Sequence, residues 1–127
     1  MARIVKSGLI QLSLAKTEGE GTIPEIMEAM LQKHIPYIEE AGRQGVQILC
    51  FQEIFNTPYF CSGQDSAWYA SAETVPGPTT ERMQVYAKKY NMVIVVPVYE
   101  KEQSGVYYNT AAVIDADGTY LGKYRKN

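Results

Sequence analysis

The sequence predicts an α/β fold with a mixed sheet and helices on one face. Three observations carry that prediction. Segments of strand and helix character alternate along most of the chain, and two further strands follow. Two apolar runs, Val46–Phe51 and Met92–Val98, have strand length, and the first has the composition of a strand covered on both faces. Asp117-Gly118 sits between two β-rich segments and reads as a hairpin turn.

The elements follow in order. Ile4–Leu12 interleaves aliphatic and small residues and reads as a strand. A Gly-rich turn at Glu18–Gly21 leads to Thr22, Pro24 and Glu25, which mark a helix start with a T-x-x-E capping box. Ile23, Met27, Met30, Leu31, His34, Ile38 and Ala41 recur at helical spacing. Pro36 lies inside that run and predicts a kink or an early end, because proline removes a donor and crowds the preceding turn. Asn56–Pro78 shows little periodicity but holds Tyr59, Phe60, Trp68 and Tyr69, too aromatic for a solvated linker. A short helix is expected within it at Ser66–Ala72. Thr79 or Thr80 caps a second helix, whose buried stripe is Met83, Tyr86, Ala87 and Tyr90. Lys88 and Lys89 complement its C-terminal dipole. Met92–Val98 is the third strand, ending at Pro97, and Val106–Ile114 with Thr119–Tyr124 completes the sheet.

Composition narrows the function classes. The 127 residues carry a net charge of −2 and are 46% hydrophobic, the profile of one soluble globular domain. No polybasic footprint points to nucleic acid or to an anionic membrane. No apolar run reaches bilayer length, and Met1–Ile10 lacks the apolar core of a secretory leader, so a cytoplasmic protein is expected. Two cysteines and one histidine make a disulfide framework or a transition-metal site a poor fit, and neither a metal nor another cofactor is expected. No G-x-G-x-x-G or P-loop pattern occurs. The ten tyrosines suit half-buried strand and interface positions.

Sites in open α/β sheets lie beyond the carboxyl ends of strands, which selects Glu53 and Glu100. Burial behind the second strand would raise the Glu53 carboxyl toward a useful base. Glu100 is followed by Lys101, Glu102 and Gln103, so a solvated charge is expected there. His34 is expected to be a packing histidine and Cys50 a small core hydrophobe. Cys61 falls in the loop after Glu53 and is not expected to be a nucleophile. The run Lys123–Lys126 would ordinarily be solvated, and chemistry there needs a lysine held by carboxylates.

Three motifs in this order resemble a known family. Ile48–Phe55 with Asn56–Phe60 is similar to the first catalytic motif of the nitrilase (carbon–nitrogen hydrolase) superfamily. Tyr107–Gly118 resembles the strand pair that follows it, and Gly122–Asn127 resembles the second catalytic motif. The resemblance is nearest to the β-ureidopropionase branch, which hydrolyses N-carbamoyl amines and N-carbamoyl-β-amino acids. It implies the N-terminal part of a four-layer α-β-β-α sandwich, with residues 1–127 as one incomplete domain. It implies a Glu–Lys–Cys mechanism in which Glu53 is the general base and Lys126 steadies the tetrahedral oxyanion. The nucleophilic cysteine of the family belongs to a motif beyond Lys126. The aromatic loop, Tyr59 and Phe60 first, is expected to border the substrate. A small amide or carbamoyl compound is the implied partner, with homo-oligomers formed by the full-length protein and no activity from the 127-residue chain alone. Two alternatives stay open: another amidase or nitrile hydrolase of the superfamily, or a non-catalytic α/β module acting by association.

Overall fold

A computed structural model describes residues 4–127; Met1–Arg3, part of the stretch read for a leader, lie outside the described residues. The chain runs β1 (Ser7–Ile10), α1 (Ile23–Arg43), β2 (Ile48–Phe51), two 3-10 turns (Phe60–Ser62 and Ser66–Ser71), α2 (Pro78–Tyr90), β3 (Val93–Gln103), β4 (Val106–Ile114) and β5 (Tyr120–Arg125). The five strands lie in sequence order across one sheet. β1, β2 and β3 are parallel, and β3, β4 and β5 are antiparallel. The mixed sheet and the element order match the expectation.

α1 starts as its sequence dictates. Thr22 accepts from the Glu25 backbone N–H, and the Glu25 carboxylate accepts from the Thr22 backbone N–H at 2.7 Å. Pro36 does not end the helix, which continues to Arg43. Its neighbours Ile38 and His34 are buried, and that packing outweighs one lost backbone bond on an exposed turn. α2 begins at Pro78 rather than at the threonines. Gly77 is its N-cap, and Thr80 closes the turn by accepting from the Gly77 N–H at 2.7 Å. The Glu73 carboxylate takes the Thr79 backbone N–H at 2.8 Å, so a side chain outside the helix satisfies its first turn.

Both helices cover the same face of the sheet. Leu49, Phe51, Ile94, Val96, Val98, Ala112 and Ile114 pack there against Leu31, Ile38, Met83 and Ala87. The helices meet where Gly42 lies under Tyr90, and a Cβ on Gly42 would stand 2.2 Å from the ring. His34 is fully buried in this layer, edge-on to Phe51 and Phe55, with Nδ1 2.8 Å from the Met30 carbonyl oxygen. The packing role expected for it holds.

β2 is not covered on both faces. Leu49 and Phe51 are buried, whereas Ile48 and Cys50 on the opposite face are partly open, because no described element packs there. Leu9 on that face is 87% exposed. Cys50 is therefore a half-buried residue of the open face rather than a core one. β3 runs through Pro97 instead of ending at it. The Pro97 carbonyl accepts from the Phe55 N–H, so the proline nitrogen also faces the side where the β2 ladder has already stopped.

Candidate active site

Glu53 follows β2 by two residues, and its backbone is fixed from both sides. The preceding residue, Gln52, donates its N–H to the Ile10 carbonyl, and its side-chain amide bridges the N–H and carbonyl of Leu12 at 2.8 and 2.9 Å. The following residue, Ile54, adopts φ = +47°, a left-handed conformation that a β-branched residue rarely takes. Burial of its side chain and the bond from Phe55 to Pro97 hold it there. The turn so made swings Glu53 out of the strand line.

The Glu53 carboxylate meets two donors. Lys126 Nζ lies 2.6 Å from Oε1, and Asn109 Nδ2 donates to the same oxygen. Lys126 is placed by the sheet: its backbone N–H donates to the Asn109 carbonyl at 2.8 Å, one step beyond β5. Asn109 lies on β4 opposite Tyr99 of β3. Three chain segments thus converge on one carboxylate. The pair is not buried: the side chains of Glu53 and Lys126 are 50% and 63% exposed. The expectation of a carboxyl raised by burial is corrected, because Lys126 first and Asn109 second hold Glu53 below the ordinary range. Glu53 in turn holds the Lys126 ammonium above its ordinary value.

Glu100 is not solvated, nor does it follow its strand. It lies within β3 and is 1% exposed. Local sequence misleads here, since the partners come from the far edge of the sheet. Thr110 Oγ1 donates to it at 2.5 Å, Arg125 donates at 2.7 and 3.0 Å, and Lys123 Nζ also bonds it. Burial pushes this carboxyl up, but the bonds from Arg125, Lys123 and Thr110 prevail and bring it to about 2.

The aromatic loop packs on itself and on tyrosines of β3 and β4. Phe60 stacks on Trp68 and leans on Tyr99, and Tyr107 stacks on both Tyr99 and Tyr69. A cavity of about 500 Å³ is lined by Phe60, Cys61, Gly63, Gln64, Asp65, Tyr69 and Tyr99. Tyr99 stands opposite Asn109 across the β3–β4 pair, whereas Glu53, Asn109 and Lys126 do not line this cavity. Tyr59 is 72% exposed. Asn109 carried no assigned role in the sequence; its local signal is a polar side chain beside Thr110 in a strand that is apolar from Ala111 to Ile114. Among the described residues no group of three or more His, Cys, Asp or Glu side chains gathers as a metal site would need.

The carbon–nitrogen hydrolase family model matches residues 15–127, which holds every residue of this constellation. The chain belongs to the carbon–nitrogen hydrolase family. It is 39% identical to a β-ureidopropionase of Arabidopsis thaliana over 98% of its own length and 31% of that protein. It is 43% identical to an N-carbamoylputrescine amidase of Solanum lycopersicum over 71% of this chain and 30% of that protein. A citrullinase of Francisella tularensis is 32% identical over 96% of this chain and 40% of that protein. A solved carbon–nitrogen hydrolase from Helicobacter pylori G27 superposes with a TM-score of 0.80 at 22% identity, over 96% of this chain and 39% of that one. This last likeness establishes the nitrilase-like α/β fold. The chain spans 30–40% of the length of these curated carbon–nitrogen hydrolases.

Proposed function

We propose that the protein carrying this chain hydrolyses a non-peptide C–N bond of an N-carbamoyl amine or N-carbamoyl-β-amino acid. In this reading Glu53 is its general base and Lys126 its oxyanion cation. The observation that carries the reading is the 2.6 Å contact between two side chains 73 residues apart, each from a motif singled out in the sequence. The relatives named for ureidopropionate, carbamoylputrescine and citrulline chemistry share the carbamoyl group, and that group is the substrate class inferred here.

The chemistry follows from the charges. A thiol supplied by sequence beyond Lys126 attacks the carbamoyl carbon, and its proton passes to Glu53. The C=O electron pair moves onto oxygen, and the Lys126 ammonium lies beside the position where that charge develops. Collapse expels the leaving nitrogen, which takes the proton back from Glu53. Water then attacks the S-carbamoyl intermediate with Glu53 again as base, the departing thiolate takes the proton back from Glu53, and the carbamic acid released breaks down to carbon dioxide and the second amine or ammonia. Lys126 has a double part. In the resting pair it keeps Glu53 ionised and weakly basic. As the oxyanion forms, it draws the ammonium toward the new charge, and Glu53 becomes the stronger base when its proton arrives. Tyr59 and Phe60 border the substrate.

Residues 1–127 form one incomplete domain of the enzyme, which works in the cytoplasm as a homo-oligomer. Ammonia release by the full-length protein from N-carbamoyl-β-alanine and N-carbamoylputrescine tests the reading. Glu53→Gln and Lys126→Met should each lower kcat by about 10³-fold, the scale of a lost base or oxyanion donor. Normal turnover by either variant refutes the assigned roles. Turnover of simple amides or nitriles alone would transfer the site to another branch of the family.

A further inference from the structure

Glu100 is the only acidic side chain buried among the described residues, and the chemistry at Glu53 does not use it. Its backbone is fixed independently of its charged partners. Tyr99 and Lys101 on either side bond the backbone of Glu73 at 3.0 and 2.7 Å. Onto this fixed carboxylate close two cations of β5, Lys123 and Arg125, and both also approach Glu102 at the exposed end of β3. The Arg125 guanidinium lies 3.9 Å from the centre of the Tyr108 ring, and Lys123 reaches the Val75 carbonyl at 3.3 Å.

β5 needs such an anchor. Among the described residues it is an edge strand paired with β4 alone, its register shifts between Val113 and Ile114, and Gly122 within it has φ = +146°. Successive strand residues point to opposite faces, so a slip of one residue would turn Lys126 away from Glu53. Lys123 and Arg125 point to the helix-covered face with Thr110 and Ala112, their cross-strand partners. Gripping both there obliges Lys126 to project on the open face, beside Asn109. We propose that Glu100 is a positioning residue, locking the register of β5 through Lys123 and Arg125 and thereby fixing where the Lys126 ammonium meets Glu53. This rests on the reading of Glu53 and Lys126 as the working pair.

The test uses the full-length protein with Glu100→Gln and, because that change disturbs a buried charge, also with Arg125→Gln, which alters a partly exposed partner. The first readout is independent of turnover. The ¹³C resonance of the Glu53 carboxyl is titrated; the groups facing it are Lys126 and Asn109, with Tyr59 beyond Lys126. The midpoint should move up toward an ordinary carboxylate in both variants, as it does in Lys126→Met. The second readout is kinetic: kcat should fall about 10–100-fold with little change in KM, the penalty of an ångström-scale misplacement. Folded variants with a lower Tm but an unmoved Glu53 midpoint and normal kcat would overturn the proposal, leaving Glu100 a stability residue. If the midpoint moves while Glu53→Gln and Lys126→Met keep full turnover, the positioning role stands and the catalytic assignment falls.

Discussion

Asn109 shares one carboxylate oxygen with Lys126, and the two donors divide the work of keeping Glu53 ionised. Asn109→Ala should raise the Glu53 midpoint by less than Lys126→Met does, because it removes a dipole rather than a charge. It should lower kcat about 10-fold, the range of one lost hydrogen bond to a charged group. A carboxyl titration beside steady-state kinetics checks both. Glu100 makes a different prediction. Its carboxyl is depressed to about 2 in the fold, against 4.5 as a free side chain. A depressed acid contributes stability that is complete above the unfolded value and drains away as pH falls through the folded one. The fold should therefore weaken between pH 4.5 and about 2, and Glu100→Gln should flatten that limb while lowering stability at pH 7 by about 3 kcal/mol. Denaturant melts across pH read both effects. Glu53 was legible at this scale, since an acid directly after an apolar strand run stands out. Glu100 was not. Its chain neighbours are Lys101, Glu102 and Gln103, while the groups that bury and neutralise it lie 23 and 25 residues on.

The elements differ in how far local sequence determines them. The α1 start was readable from Thr22 and Glu25, because a capping box is a contact between residues three apart. The α2 start was misplaced because Glu73, outside the helix, satisfies the Thr79 N–H. Pro36 shows the same limit from the other side: a local breaker yields to the burial of Ile38 and His34 around it. Its own position is exposed, so Pro36→Ala should restore a backbone bond and raise stability by about 1–2 kcal/mol, visible as a higher Tm. An unchanged or lower Tm would mean that the helix is adapted to the proline. Gly42 is a close-approach site, and Gly42→Ala would press a methyl into the Tyr90 ring at 2.2 Å. That substitution should lower stability by about 1–3 kcal/mol through overpacking, and Tyr90→Ala in the same chain should relieve part of the loss.

At the scale of the molecule the sheet has one finished face and one open one. The helices seal the first, while Leu9, Ile48 and Tyr124 leave apolar surface on the second. Two-layer packing is the minimum for a stable domain, and a large apolar face in water invites association. The 127-residue chain alone should sediment as a concentration-dependent oligomer, and the pair Leu9→Lys with Ile48→Lys should shift it toward monomer. A compact monomer at all concentrations would contradict this. The sequence predicted the Val46–Phe51 strand as covered on both faces, and that reading missed because burial depends on what packs from outside the segment.

The central claim is that Glu53 and Lys126 act as one unit, and a double-mutant cycle tests it most directly. Full-length protein would be assayed for ammonia release from an N-carbamoyl substrate with Glu53→Gln, Lys126→Met and both. Groups that act together are non-additive, so the double variant should be no slower than the slower single one. Losses that multiply, or singles that turn over normally, would show that the 2.6 Å contact is an ordinary surface ion pair.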